Sequence, residues 1–216
     1  MFLTFEGIEG CGKSTQARRL AERLEVIGIP SILTLEPGGT AIGQEIRRIL
    51  LDNKNQDLPP LSELFLYEAD RALHMEKVIR PALDQQKWVV CDRFFDATTA
   101  YQGYAREQDL EMIMLLNKKA SFGITPDMTF LLDCPVDVGI ARALKRNEAL
   151  DDPNQDRFEK EKMDFHTAVR KGYLSMAEIE TERFVVVDAA LGESELEEII
   201  FSHVQPYVSK KSVLKL

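Results

Sequence analysis

Short apolar runs and longer amphipathic segments alternate along the chain. The apolar runs span residues 2–6, 31–35, 87–91, 128–133 and 183–187. They do not alternate polar with apolar positions, which is typical of parallel strands covered on both faces. The segments between them have helical spacing over about 13–27, 40–51, 61–84, 96–120, 136–146, 157–180 and 193–208, and Pro81 is expected to end or kink the third. The pattern predicts an α/β fold, in which a five-stranded parallel sheet has helices on both faces.

The first predicted strand ends in a glycine-rich loop, Gly7-Ile8-Glu9-Gly10-Cys11-Gly12-Lys13-Ser14, with the spacing G-x-x-x-x-G-K-[S/T] of a phosphate-binding loop. Glycines let backbone N–H groups point at phosphate oxygens, and the N-terminus of the next helix adds partial positive charge. Lys13 is expected to reach the β- and γ-phosphates, and the Ser14 hydroxyl to join the shell of Mg²⁺. The strand–loop–helix context argues against a chance match and predicts a three-layer P-loop NTPase fold. The expected nucleotide-binding residues are Gly7, Ile8, Glu9, Gly10, Cys11, Gly12, Lys13, Ser14 and Thr15.

Composition narrows the class of protein. A chain of 216 residues with 44% hydrophobic residues is expected to form one domain over residues 1–216. The net charge of −9 argues against a nucleic-acid-binding surface, although a local basic site can still hold a small anion. The scattered Cys11, Cys91 and Cys134 favour reduced thiols over disulfides or a zinc site. The chain starts in a strand and has no apolar run near the ~18 residues of a membrane span, so we expect a cytoplasmic protein without membrane contact.

Charged residues follow the third predicted strand directly. Asp92 ends this strand, in the position of a ligand to Mg²⁺ or its water in P-loop proteins. Arg93 comes next and could bind a phosphate through its guanidinium fork. The alternative is a structural ion pair at the end of a strand, but the phosphate-binding loop favours function.

The second predicted strand leads into the turn Glu36-Pro37-Gly38-Gly39-Thr40 and an amphipathic helix. Thr40 is suited to cap the N-terminus of this helix. Arg47 and Arg48 follow within it. One of them could point into the cleft, or both could form a solvated basic pair; the pattern alone does not decide.

Tyr67 and Arg71 lie four residues apart, on one face of the third predicted helix. A ring and a guanidinium on one face can hold a planar base by stacking and hydrogen bonding. A core tyrosine beside a surface arginine is the commoner arrangement. His74, His166 and His203 have no spacing typical of a metal site or a catalytic triad, so we expect them to be structural or exposed.

Basic residues flank a polar segment late in the chain. Arg142, Lys145 and Arg146 precede residues 147–155, which are rich in Asp, Asn and Pro, and Arg157 follows them. Basic residues on a lid can supply charge to a transferring phosphoryl group. We therefore expect a short lid at about residues 142–158, with a solvated helix hairpin as the alternative.

The motifs together resemble the thymidylate kinase family of nucleoside monophosphate kinases, from residue 3 to about residue 188. The resemblance is highly specific because it rests on several separate stretches. These are Phe5–Thr15, Glu36–Thr40 with Ile46-Arg47, Ala69-Asp70-Arg71 with His74, Asp92-Arg93-Phe94 with Ala100–Gly103, Pro126–Thr129 and Asp156–Glu159.

The resemblance implies roles for individual residues. Glu9 matches an acidic loop residue near the deoxyribose and the acceptor phosphate. Arg47 and Arg93 match arginines that hold the 5′-phosphate of the acceptor. Tyr67 stands where the family usually has a Phe that stacks on thymine, and Arg71 matches the arginine that binds a thymine carbonyl.

Further implied roles concern the sugar, the base and the catalytic cation. Thr98 and Gln102 match polar contacts to the base, and Tyr101 matches a tyrosine beneath the sugar that disfavours a ribose 2′-OH. The phosphate-binding loop has no arginine among its variable residues, which resembles the bacterial type with lid arginines. Arg142, Arg146 and Arg157 are then the candidates, and Arg146 and Arg157 are favoured.

The sequence also departs from the family pattern. Leu35 stands where an Arg often precedes the Glu-Pro-Gly-Gly-Thr motif, Phe94 replaces a Tyr, and Ala97 replaces a small hydroxyl residue. Residues 147–155 of the expected lid are acidic and contain no arginine. These differences bear on affinity and on lid details rather than on the class.

The resemblance implies transfer of a phosphoryl group from ATP to dTMP, giving ADP and dTDP for dTTP synthesis. It also implies Mg²⁺ as cofactor and a homodimer. A deoxynucleoside kinase on the same scaffold is the first alternative. A non-catalytic ATP-binding regulator is the second, and nothing in the sequence favours it.

Overall fold

Five parallel strands form one sheet in the order β2-β3-β1-β4-β5 in the computed structural model, which describes residues 1–148 and 157–213. The central strand β1 leads into the glycine-rich loop. All five strand predictions are confirmed to within one residue at each end. The strands are β1 Phe2–Glu6, β2 Ser31–Leu35, β3 Trp88–Asp92, β4 Met128–Asp133 and β5 Phe184–Asp188.

Helices connect the strands and surround the sheet. They are α1 Lys13–Val26, α2 Ala41–Leu51, α3 Pro60–His74, α4 Arg80–Asp84, α5 Phe95–Thr98, α6 Leu110–Ala120, α7 Val136–Glu148, α8 Met163–Ile179 and α9 Glu193–Val213. Two π-helical segments, Met75–Ile79 and Thr99–Ala105, continue α3 into α4 and extend α5. A 3₁₀ turn covers Asn53–Asn55.

Three helix predictions are wrong in their bounds. The predicted helix over 96–120 is broken, because Asp109 caps the new helix α6 by accepting hydrogen bonds from the N–H groups of Glu111 and Met112. Helix α8 begins at Met163 rather than at residue 157, and α9 continues to Val213 rather than ending at 208. Pro81 does not end its helix, because it lies in the first turn of α4, where its missing N–H costs little.

Both faces of the sheet are covered by apolar side chains. Successive residues of a strand point to opposite faces, and Val89 and Val90 of β3 accordingly belong to two different buried clusters. The larger cluster joins β1 and β4 to α1, α8 and α9, and the smaller joins β3 to the π-helical segment Met75–Ile79 and to α4. The carboxyl ends of the parallel strands therefore share one open edge of the sheet. None of the described helices is long and apolar enough to cross a membrane.

Candidate active site

The glycine-rich loop turns tightly against β4 and α7. Gly7 and Gly10 have positive φ angles of 137° and 69°, which side chains rarely allow. A Cβ atom on Gly7 would lie 2.6 Å from the carbonyl oxygen of Leu132, and one on Gly10 would overlap the carbonyl oxygen of Gly139 in α7. The loop conformation therefore requires glycine at these positions, and α7 is held directly against the loop.

Lys13 and Ser14 begin helix α1 at the floor of the loop. The Lys13 ammonium donates to the carbonyl oxygen of Ile8 at 2.7 Å and contacts Cys11 Sγ at 3.5 Å. Its side chain is thus folded over the loop, where phosphate oxygens could take the place of these partners. The Ser14 hydroxyl donates to Asp92 Oδ2, while Asp92 Oδ1 is buried without a hydrogen-bond partner.

The pair Ser14 and Asp92 fits the Mg²⁺ ion that the sequence predicted. Hydroxyl and carboxylate oxygens are ligands that Mg²⁺ prefers, and a protein usually supplies only one or two of them. The unpartnered Asp92 Oδ1 is an oxygen of this kind. In the described part of the chain, no group of three or more His, Cys, Asp or Glu residues could form a closed metal site.

A cleft of about 580 Å³ extends from the loop across the edge of the sheet. This volume suits a small-molecule site. Although the chain is acidic overall, five basic side chains line the cleft, so a local positive site exists: Lys13, Arg47, Arg71, Arg93 and Arg146. The cleft also brings together most of the other predicted substrate residues, namely Glu9, Tyr67, Thr98, Tyr101 and Gln102.

Arg93 reaches back from the end of β3 toward the loop. Its φ of 69° is left-handed, which is uncommon for a residue other than glycine. Its Nη1 donates to the Gly7 carbonyl oxygen and to Tyr173 Oη, both at 3.1 Å, and Nη2 donates to Tyr101 Oη at 3.0 Å. Burial opposes the charge, but the neighbouring Tyr101, Tyr173 and Glu9 outweigh it, so the pKa of Arg93 lies well above its ordinary value.

Glu9 lies beside Arg93 at the mouth of the loop. Its Oε1 accepts hydrogen bonds from the Tyr101 hydroxyl and, at 3.2 Å, from Arg93 Nη2. Burial alone would raise the pKa of this carboxyl, but His166, Arg93 and Lys13 lower it to about 2. Glu9 is therefore ionised at neutral pH.

Arg71 lies at the far end of the cleft and is 1% exposed. It donates to Glu36 and Glu68, two buried carboxylates, and to Asn117 and Thr98, at distances of 2.8 to 3.0 Å. These bonds use four of the five N–H groups of a guanidinium. One Nη2 N–H therefore remains for a ligand in the cleft. Arg71 is therefore not the surface arginine of the commoner arrangement, in which a core tyrosine lies beside an exposed arginine.

Thr98 and Gln102 are held by other side chains of the site. The Thr98 hydroxyl accepts the hydrogen bond from Arg71, and Gln102 Nε2 donates to Glu63 Oε1 at 2.9 Å. Tyr67 lines the same cleft. The predicted base-binding residues are thus together, and two of them are oriented before any base enters.

Arg47 and Arg48 differ in direction. Arg47 lines the cleft and donates to the Pro37 carbonyl oxygen at 2.9 Å, and burial lowers its pKa. Arg48 pairs with the exposed Glu45 on the outer face of α2. The Thr40 cap is confirmed, since its Oγ1 accepts from the Gly43 N–H at 2.9 Å. Arg47 is therefore the one that could compensate for Leu35 in the cleft.

The three candidate lid arginines occupy different surroundings. Arg146 is 54% exposed, lines the cleft and donates to Glu159 Oε1 at 3.2 Å. Arg142 donates to the Ala189 carbonyl oxygen at 3.1 Å. Arg157 is buried, with Nη2 2.6 Å from Glu63 Oε2, and it lies outside the cleft lining. Arg157 thus pairs with a buried carboxylate away from the cleft lining, and its role as a source of charge for the phosphates stays a prediction. Residues 149–156 of the predicted lid lie outside the described residues.

Two departures from the family pattern are accommodated locally. The Phe94 ring is fully buried and packs edge-on against Phe2, with ring centroids 4.9 Å apart. An apolar ring without the hydroxyl of a Tyr therefore suits this position. Ala97 lines the cleft and packs against the larger core cluster.

Sequence reasoning missed three residues behind the loop. Glu6 accepts from the Phe94 N–H and from Tyr173 Oη, both at 2.7 Å, and burial and Asp96 raise its pKa to about 8. His166 lies 3.4 Å from Glu9. His166 and Tyr173 are seven residues apart, the spacing of one helix face, and this was the available signal.

Comparisons with known proteins identify the family of the chain. The model of the thymidylate kinase family matches residues 5–200. The thymidylate kinase of Citrifermentans bemidjiense is 53% identical over 88% of this chain and 84% of its own length, and that of Pelobacter propionicus is 48% identical over 94% and 93%. A crystal structure of thymidylate kinase from Ehrlichia chaffeensis superposes with a TM-score of 0.75 at 34% identity, covering 94% of this chain and 98% of that one.

Proposed function

Because the chain belongs to the thymidylate kinase family, we propose that it transfers the γ-phosphoryl group of ATP to dTMP. A phosphate oxygen of dTMP forms a bond to the γ-phosphorus. The bond from that phosphorus to the β–γ bridging oxygen breaks, and ADP leaves with the electron pair. The products are ADP and dTDP, and dTDP serves dTTP synthesis.

The charges in the cleft carry this proposal. The five basic side chains that line the cleft run from Lys13 in the loop to Arg71 at its far end. ATP and dTMP both carry negatively charged phosphates, and these positive side chains can offset the repulsion where the phosphates meet. The acceptor is already an anion, so the site needs no strong general base, and catalysis rests on positioning and on charge neutralisation.

The donor site consists of the loop backbone with Lys13. We assign to Lys13 the contact to the β- and γ-phosphates, and to residues 7–15 the cradle of the triphosphate. Ser14 and Asp92 would hold Mg²⁺. When bound, the ion would neutralise negative charge on the phosphates.

The acceptor site consists of the side chains between α2, α3 and the π-helical segment Thr99–Ala105. Arg47 and Arg93 would bind the 5′-phosphate of dTMP, and Glu9 and Tyr101 would contact the sugar. Tyr67 would stack on thymine. The free N–H of Arg71 would donate to a thymine carbonyl, and Thr98 and Gln102 would complete the base contacts.

Arg146 is our choice for the catalytic lid arginine. It lines the cleft, and its own side chain is 54% exposed where it contacts Asn147 and Glu159. A guanidinium this exposed gains little from such a pairing, so a phosphate can displace it.

An ADP-release assay with ATP and a panel of acceptors tests the activity. dTMP is expected to give the highest kcat/KM among dTMP, dUMP, dCMP, UMP and thymidine. Turnover with thymidine but not with dTMP would instead indicate a deoxynucleoside kinase. ATP binding without turnover on any acceptor would indicate a regulator.

We also propose that two copies pair through α3 and α6. These helices pack against each other and expose four large apolar side chains: Leu61, Phe65, Met114 and Leu115. Phe65→Glu is expected to convert the dimer to a monomer in sedimentation analysis, whereas Ile179→Glu on α8 leaves the mass unchanged. A wild-type monomer would contradict the pairing.

We place the enzyme in the cytoplasm. Cys11, Cys91 and Cys134 are all buried and free. Thiols of this kind suit a reducing compartment.

A further inference from the structure

Helix α8 directs two fully buried polar side chains toward the phosphate-binding loop. His166 and Tyr173 are 0% and 1% exposed and lie on one face of the helix, two turns apart. Tyr173 donates to Glu6 Oε2 and accepts from Arg93 Nη1. Each of these two side chains thus approaches a different carboxylate, Tyr173 that of Glu6 and His166 that of Glu9.

His166 and Glu9 each have an unused polar atom facing the other. The Nδ1 atom of His166 lies 3.4 Å from Oε2 of Glu9. This Oε2 is buried without a hydrogen-bond partner, and so are both ring nitrogens of His166. Buried polar atoms are rarely left without a partner, and such an exception in a cleft calls for a functional explanation.

The ring of His166 is fully buried in packed surroundings. Phe165 meets the imidazole edge-on, with ring centroids 5.6 Å apart. Further along α8, a Cβ atom on Gly172 would lie 2.7 Å from the ring of Tyr104, so the helix is held close to the π-helical segment that carries Tyr101. The close packing of α8 thus holds the backbone of His166 near Glu9.

Glu9 needs such a partner because its other oxygen is shared. Oε1 accepts from both Tyr101 and Arg93. A carboxylate that is held at one oxygen only can rotate about its terminal bond. It could then draw Arg93 away from an incoming phosphate, since Arg93 and Lys13 are the cations beside it.

We propose that His166 is a positioning residue of the acceptor site, whose Nδ1–H donates to Glu9 Oε2. With Glu9 Oε2 held by the hydrogen bond from His166, Oε1 stays directed at Tyr101 and Arg93. The guanidinium of Arg93 then keeps one orientation toward the acceptor phosphate. This inference rests on the proposed function, because it gives Glu9 and Arg93 their acceptor.

Two substitutions separate donation from packing. His166→Phe keeps a ring but removes the donor, and His166→Asn keeps an N–H near the position of Nδ1. His166→Phe is expected to raise the KM for dTMP about tenfold and to lower kcat less, with the KM for ATP unchanged. His166→Asn should restore most of the dTMP KM. His203→Phe, at an exposed position of α9, is the control and should match the wild type.

A double-mutant cycle identifies the partner of His166. If His166 acts through Glu9, adding His166→Phe to Glu9→Gln should change the dTMP KM less than twofold. All kinetics are measured under conditions in which circular dichroism shows that every variant is folded. If His166→Phe does not fold, the test uses His166→Asn against the wild type.

The outcomes distinguish this inference from the proposed function. A wild type that fails to phosphorylate dTMP rejects the function and this role with it. An active wild type whose His166→Phe variant keeps a normal dTMP KM, or whose Asn variant is as impaired as Phe, overturns the inference alone. So does a tenfold effect that persists in the Glu9→Gln background.

Discussion

The two ends of the cleft are built in different ways. At the proposed donor end, eight consecutive residues form a loop whose backbone would supply the ligands to phosphate, with Lys13 as its only cation. At the proposed acceptor end, Arg71 is held by residues 35 positions earlier and 46 positions later in the chain. The donor site is thus a local structure with exchangeable side-chain contacts, whereas the acceptor site is a buried network in which binding and folding depend on the same bonds.

This difference predicts how the two ends respond to substitution. At the donor end, the Lys13 side chain can be removed with little loss of folding free energy, because its present partners are the backbone carbonyl of Ile8 and the thiol of Cys11. At the acceptor end, removing one member leaves buried carboxylates unpaired. Activity and stability should therefore separate at the first site and fall together at the second.

The largest effect on turnover is expected from Lys13→Ala. Loss of an ammonium directed at the transferring group should lower kcat by about 10³-fold, while the thermal midpoint stays within a few degrees. Steady-state kinetics and calorimetry measure the two quantities. Lys54→Ala, at an exposed position, is the control. Near-normal dTDP formation by Lys13→Ala would remove Lys13 from the reaction.

Arg71→Lys should reduce both acceptor binding and stability. An ammonium cannot reproduce the bonds to Glu36, Glu68 and Thr98 in one geometry. We expect the dTMP KM to rise about 10²-fold at constant ATP KM, and unfolding free energy to fall by about 3 kcal/mol, as for a broken buried ion pair.

Chemical denaturation and acceptor titrations test the Arg71 prediction. Arg80→Lys, an exposed arginine over the ring of Phe122, is the matched control. A raised KM without any loss of stability would show that the network around Arg71 is not a structural unit.

The same difference explains what the sequence could predict. The loop and the five strands were predicted closely because their signals are contiguous: glycine spacing, apolar runs and the strand–loop–helix order. Arg71 was assigned through a family resemblance, since nothing near it in sequence indicates Glu36 or Asn117. The long helix over 96–120 was wrong because one capping residue, Asp109, outweighed its helical spacing.

Buried pairing is the other limit on prediction. Arg157 follows a polar segment and looked free to reach a phosphate, but Glu63 lies 94 positions earlier and holds it. Nothing near His166 in the sequence indicates Glu9, because Glu9 lies on a distant loop. Contacts between residues this far apart in the sequence depend on how the segments pack in three dimensions, which local spacing does not show.

Arg146 and Arg157 repeat the comparison within the lid region. Arg146→Ala is expected to lower kcat about tenfold with little change in stability, because its guanidinium is more than half exposed. Arg157→Ala should mainly lower stability, because it leaves the fully buried Glu63 with fewer partners. Equal kinetic losses without destabilisation in both variants would support a catalytic role for Arg157 as well.

The smallest effect on turnover is expected at Glu6, which lies between the two ends and supports both. Its carboxyl accepts from Phe94 next to Arg93, and from Tyr173, which also contacts Arg93. Burial raises its pKa from 4.5 to about 8, so the folded protein keeps a proton that the unfolded chain releases above pH 4.5. This contribution to stability is complete below pH 4.5 and is lost as the pH rises through 8.

Glu6→Gln stays neutral at every pH and should lack this loss. The unfolding free energy of the variant relative to the wild type should therefore increase by about 3 to 4 kcal/mol between pH 5 and pH 8, as measured by urea denaturation at each pH. Glu25→Gln, at an exposed position of α1, should show no such trend. Parallel curves of unfolding free energy against pH for wild type and Glu6→Gln would mean that Glu6 is already ionised when it accepts from Tyr173. The two ends of the cleft would then share a fixed negative charge rather than a proton.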